Sequence, residues 1–159
     1  MKNAFKFLVF MFAMMLLAFA CASCEGKKTS DEIIAENNYR YFDVVNFINE
    51  GKFVEAKSRI DEVYSNVDYS ENDTDSYNKM NLLRLYYEKQ NQFDNAVSEV
   101  LSFVSESGLL KQANDGALSG EAKNQFAFCV SAVERMFDGL SESKQEEAKK
   151  LLGDHLSVE

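Results

Sequence analysis

The chain has 159 residues, 26 of them acidic and 17 basic, for a formal net charge of −9 at pH 7. So acidic a balance argues against nucleic-acid binding, whose footprint is a basic patch or stripe, and its plainest effect is solubility through self-repulsion. The first element is a leader. Lys2 and Lys6 give a small positive head, and Phe7 to Ala20 is an unbroken apolar run of 14 residues. A membrane-spanning helix needs about 20 residues. The run fits instead the apolar segment of a secretory signal peptide, roughly 7–15 residues long, with the small residues Ala20, Ala22 and Ser23 near the cut.

The run ends in LAFACASCEGKK, residues 17–28, where Cys21 and Cys24 stand three apart and charge follows. A C-x-x-C redox pair belongs at a helix start within a βαβ pattern, not behind a hydrophobic leader. A structural zinc site takes four ligands, and the rest of the chain offers only Cys129 and His155. The junction resembles the lipobox of bacterial lipoproteins, in which small residues precede a cysteine that is lipidated and becomes the first residue of the mature chain. Ala22-Ser23-Cys24 has the small residues in place, so Cys24 is the expected anchor. The alternative register, Ala18-Phe19-Ala20-Cys21, carries a bulky Phe19. The resemblance implies a signal peptide over 1–23 and attachment to a membrane through lipid. Residues 24–30 (CEGKKTS) read as a short polar tether. Because Lys2 and Lys6 leave with the leader, the processed chain has 15 basic against 26 acidic residues, a net charge of −11. Its 136 residues suit one domain with a real core. Cys129 would then be the one remaining thiol, packed as a small core hydrophobe.

From Asp31 the apolar spacing is helical. Thr29-Ser-Asp-Glu32 fits a capping box opening the first helix, and Tyr41, Val44, Val45 and Ile48 share one face. Gly51 stands where that helix ends. GKFVEAKSRI at 51–60 and NQFDNAVSEV at 91–100 then align at an offset of 40, pairing Phe53 with Phe93, Ala56 with Ala96, Ser58 with Ser98 and Ile60 with Val100. Phe47 pairs likewise with Tyr87, and Val63 with Phe103. Gly51 and Asn91 occupy the turns, where a left-handed residue is easiest for Gly and then Asn. Two helix hairpins follow, 31–50 with 52–66 and 74–90 with 92–107. The alanines should sit where the helices cross.

This layout resembles the tetratricopeptide repeat (TPR), a helix-turn-helix unit with aromatic, small and aromatic positions at fixed spacing. Ala96 falls on the family's alanine, Tyr87 and Phe93 on its aromatic positions and Leu83 on its leucine. The repeat's tryptophan and closing proline are missing, the offset of 40 exceeds the usual ~34, and Arg84 stands where the family has a small residue. The resemblance covers about 31–107. It implies an all-α fold of stacked antiparallel hairpins, a short α-solenoid of about six helices. In that family a concave groove is lined by the first helix of each hairpin. Here the groove side carries Asn78, Asn81, Leu85 and Glu88, with Asn38 and Tyr41 from the first hairpin. Amides of this kind can hydrogen-bond an extended peptide backbone without demanding a particular sequence.

Between the hairpins, DYSENDTDSY at 68–77 alternates oxygen-bearing side chains. Read as a calcium loop from Asp68, it lacks the glycine at position six, which is Asp73, and the glutamate at twelve, which is Lys79. A solvated acidic loop ending in an N-cap at Asp73 or Thr74 is the better reading. Residues 108–120 form a second connection. Residues 121–138 carry an apolar face through Phe126, Cys129, Val130, Val133 and Phe137. Ser143-Lys-Gln-Glu146 fits a capping box for a short helix ending at Gly153. This last pair, closing a helical domain over 31–153, is expected to cap the stack. His155 falls in a short tail, 154–159, as an exposed bystander.

No G-x-S-x-G, H-E-x-x-H or P-loop pattern occurs. The expectation is therefore a non-catalytic protein without cofactor or metal. It would be a monomer, held in the bacterial cell envelope by lipid at the outer rather than the inner membrane, and would bind a protein or peptide partner. In this it resembles TPR lipoproteins that hold together envelope assemblies such as the outer-membrane β-barrel assembly machinery. The alternatives are a surface-displayed lipoprotein binding a host or environmental ligand and, behind that, an envelope enzyme.

Overall fold

Seven α-helices and no strand occur among the residues that the computed structural model describes, 30–71 and 73–158, with side chains from residue 40 on. The leader, both candidate anchor cysteines and Thr29 lie outside those residues, as does the side chain of Asn38. The helices are α1 (Ser30–Asn49), α2 (Phe53–Tyr64), α3 (Thr74–Glu88), α4 (Phe93–Glu106), α5 (Leu109–Asn114), α6 (Gly120–Met136) and α7 (Glu142–Leu152). Residues Asn38–Glu159 form one compact unit. The other unit, Met1–Asn37, contributes helical backbone from Ser30 on.

The two turns aligned at an offset of 40 are built alike. Gly51 has φ +73° and Asn91 φ +56°. Past each, the next amide reaches back to the aromatic of the preceding helix: Lys52 N–H donates to Phe47 C=O at 2.8 Å, and Gln92 N–H to Tyr87 C=O at 3.0 Å. A left-handed residue followed by this long back-bond satisfies carbonyls that a helix end would otherwise orphan. The aromatic that follows each turn then packs onto a neighbouring element. Phe53 meets Tyr86 of α3 edge to face at 5.9 Å. The ring of Phe93 lies so close to Gly139 that a Cβ there would stand 2.6 Å from it. Ala56 and Ala96 are completely buried.

Two apolar clusters result. One joins α1, α2 and α3 through Val44, Ile48, Ala56, Ile60, Tyr64, Leu82 and Leu83. The larger joins α3 to α7 through residues that include Met80, Val97, Phe103, Leu109, Phe126, Cys129, Val133 and Leu152. The helix α3 contributes to both clusters and packs against α2 and α4, while α4 packs in turn against α6. A helix buried on two flanks cannot show a single apolar stripe, and α3 does not.

Four sequence expectations are corrected. The connection 108–120 holds a helix, α5, so there are seven helices where about six were expected; Leu109 is fully buried and pins it to the core. The cap of α7 is Ser141 rather than Ser143. Asp94, at the start of α4, accepts from the Ser141 amide at 2.9 Å and hydroxyl at 2.6 Å, so a tertiary partner selects the earlier serine. The tail is packed: Gly153–His155 is a 3₁₀ turn, and Leu156 and Val158 lie against the larger cluster. His155 is half-buried, edge to face with Phe126 at 5.1 Å and 3.1 Å from Asn114 Oδ1.

Candidate binding face

Helical spacing puts Asn78, Asn81, Leu85 and Glu88 along one strip of α3 and Asn38 and Tyr41 on one face of α1. The structure brings two of these together across forty residues: Asn81 Nδ2 donates to the Tyr41 hydroxyl at 2.7 Å. The Asn81 carbonyl oxygen is taken by Arg84, whose Nε and Nη2 donate to it at 3.2 and 2.7 Å. Those two donors require the oxygen on that side, which fixes the orientation of the amide.

Arg84 continues the chain of contacts. Its Nη1 donates to Glu88 Oε2, and the same oxygen accepts from Arg135 Nη2 of α6 at 3.1 Å. The Arg84 guanidinium also lies over the ring of Phe128, also of α6, at 5.3 Å. Arg84 is 7% exposed. Burial draws its guanidinium below the usual arginine range; the Glu88 carboxylate opposes this and the Arg135 charge adds to it. An arginine has so high a starting value that it stays charged at neutral pH. A buried charge needs partners, and Arg84 has a carboxylate, an amide oxygen and an aromatic face. Burial likewise pushes the Tyr41 hydroxyl up, against the Asn81 hydrogen bond and the Arg84 charge.

The contacts therefore link Tyr41 on α1, Asn81, Arg84 and Glu88 on α3, and Arg135 on α6. Leu85 is half-buried against the first apolar cluster, so much of its surface serves packing. Asn78 is half-buried on the same strip. Phe42, next to Tyr41 in α1, sits edge to face with it at 5.8 Å and is 60% exposed. Sequence reasoning did not single out Phe42, Arg135 or Phe128. It met Arg84 only as a misfit in the repeat pattern, and that misfit was the available signal: a charged residue at a position meant for close packing needs a buried partner.

Two other places have less to offer. A cleft of about 490 Å³ lies between the end of α2, the loop after it and α4. Three of its polar side chains, Tyr69, Glu99 and Lys79, are already engaged within the protein. The Tyr69 hydroxyl donates to Glu99 at 2.7 Å, and Lys79 donates to the Val67 carbonyl at 2.7 Å while lying over the Tyr69 ring. In the acidic loop Asp68 accepts from the Ser70 amide at 2.8 Å, and Asp73 closes a capping box with Ser76 at the start of α3. Among the described residues no three His, Cys, Asp or Glu side chains converge as metal ligands. Cys129 is fully buried, its thiol pushed up to about 12 by burial, with the Arg84 charge opposing.

The chain matches no protein-family model, no curated protein and no solved structure.

Proposed function

We propose that this is a lipid-anchored protein of the bacterial cell envelope whose helical domain binds a protein partner on the face formed by α1, α3 and α6, in the manner of a TPR-like array. The observation that carries the binding half is the contact chain from Tyr41 through Asn81, Arg84 and Glu88 to Arg135, which holds polar side chains of three helices in fixed positions on one face. Side chains held by one another lose less freedom on binding than free ones, so a shallow face can still discriminate. The alternation of packing, α2 on α3 and α4 on α6, agrees with stacked hairpins, the arrangement in which first helices line a common groove. The anchoring half rests on the leader and on Cys24. A face of this size suits micromolar affinity, about −8 kcal/mol. Binding, not catalysis, is the role proposed.

Photo-crosslinking in cells tests the face. A crosslinkable residue at Asn78, on the strip, should give defined adducts, whereas one at the exposed Ser58 of α2 should not. Tyr41→Phe with Asn81→Ala should reduce the Asn78 adducts, and Glu55→Ala on α2 should leave them unchanged. Adducts that form only from Ser58 would place the partner on the opposite surface and end the proposal.

A further inference from the structure

We infer that Glu88 is an internal competitor: it occupies a carboxylate subsite on the binding face, so the ligand of that face is an acidic peptide although the chain itself is strongly acidic. The inference rests on the proposed binding face and adds the chemistry of its ligand.

One oxygen of Glu88 accepts from two guanidinium groups on different helices, Arg84 beneath it and Arg135 beside it. The two pairs are unequal. The side chain of Arg84 is 8% exposed and makes further contacts to Asn81 and Phe128, so its pairing with Glu88 belongs to the interior. The side chain of Arg135 is 52% exposed and touches Glu88 through a single N–H, at 3.1 Å. A guanidinium is a fork of five donors that suits a carboxylate in a two-bond embrace. Arg135 makes one bond of a possible two, to a carboxylate already committed elsewhere. An incoming carboxylate can offer it the second.

The rest of the face has the same bias. The Asn81 oxygen is consumed by Arg84, and Glu88 Oε2 by both arginines, so one acceptor of each side chain is spent within the protein and only the second Glu88 oxygen is left over. Tyr41 accepts from Asn81, which leaves its own hydroxyl hydrogen to donate, and Asn81 keeps a second N–H. Tyr41, Asn81 and Arg135 therefore present hydrogen-bond donors. A ligand that matches them carries acceptors, its backbone carbonyls and a side-chain carboxylate, and the exposed Phe42 beside Tyr41 gives an apolar neighbour a surface to cover. A basic peptide would meet donors and a cation there. Its attraction to the net charge of −9 would be general rather than directed to this face.

The test uses the full chain in detergent and a fluorescent hexaglutamate peptide, acetylated and amidated so that only side-chain carboxylates are present, with hexaglutamine and hexalysine peptides as comparisons. Anisotropy titrations at low salt should show hexaglutamate binding in preference to hexaglutamine. Glu88→Gln should tighten hexaglutamate at least threefold by releasing Arg135. Glu55→Gln, which changes the net charge equally on α2, should not. Arg135→Gln, at an exposed position that leaves the Arg84–Glu88 pair intact, should weaken hexaglutamate about tenfold, and it keeps the question answerable if Glu88→Gln loses helicity. The inference falls if hexaglutamate binds no better than hexaglutamine, if Glu88→Gln and Glu55→Gln act alike, or if Arg135→Gln is without effect. Should hexaglutamate fail while Tyr41→Phe with Asn81→Ala still reduces the crosslinked partner, the face stands and only its ligand class is wrong.

Discussion

Asp94 shows how one half-buried carboxylate can select a helix start. Both of its oxygens are engaged by Ser141, which in turn caps α7, so the beginnings of α4 and α7 are tied through a single side chain. The Ser141 hydroxyl and amide hold the Asp94 carboxyl below the usual aspartate range, slight burial opposes them, and the Lys144 charge adds to the lowering. A carboxyl depressed in the folded state binds its proton more tightly when unfolded. Its contribution to stability is therefore complete above the ordinary aspartate value, about 3.9, and fades as pH falls through the folded value below it. Urea unfolding followed stepwise from pH 6 to pH 2 should show Asp94→Asn less stable than the parent at the upper end. The two curves should converge below about pH 4, within the window set by that ordinary value. Parallel curves across the whole range would mean that the charge of Asp94 contributes nothing. Cys129 lies at the other extreme: deep burial raises the thiol to about 12, so at neutral pH it is a protonated core side chain.

At the scale of the helix pair, the decisive residues are the two alanines. Ala56 and Ala96 are fully buried in corresponding positions, each four residues beyond the residue that closes its turn, and each lies in one of the two apolar clusters. A methyl group at a crossing sets how near the helix axes come, and close-packed cores have no room for more. Replacing either alanine with leucine should cost about 1–3 kcal/mol by overpacking, read as a lowered melting temperature of the whole domain. The hairpin register is wrong if neither variant is less stable. This correspondence was legible in the sequence because the turn chemistry is local: Gly51 and Asn91, then Phe53 and Phe93, repeat within reach of one another along the chain. What was not legible depended on distant partners. The serine capping α7 was misjudged because Asp94, 47 residues earlier, decides between Ser141 and Ser143. The helix α5 was missed because Leu109 finds its place in the core only through tertiary packing. Of the binding face, the strip on α3 could be read from helical spacing. The Arg84–Glu88–Arg135 junction could not, since no local rule joins Glu88 to a residue 47 positions away.

At the scale of the whole molecule, the proposed anchor changes what the binding face must accomplish. A protein held at a membrane meets its neighbours in two dimensions, so micromolar contacts can be enough where a free protein would need tighter ones. Each acyl methylene buried in the bilayer contributes about 0.8 kcal/mol, and stable attachment takes more than one chain. Lipidation at Cys24 with a freed and acylated amine would supply several. The expected outcome is specific to the register. Mass spectrometry of the mature N-terminus should give an acylated peptide beginning at Cys24, and Cys24→Ser should abolish palmitate labelling and leave the leader uncut. Cys21→Ser should change neither, because in this register Cys21 is discarded with the signal peptide. If labelling is lost in Cys21→Ser and kept in Cys24→Ser, the anchor is Cys21 and the tether gains three residues. If the mature chain begins at Ala22 without acylation, there is no lipid anchor and the domain is released. Protease added to intact cells then separates the two sides of the envelope. The proposed envelope-facing role requires the domain to survive, and its digestion would instead support display at the surface.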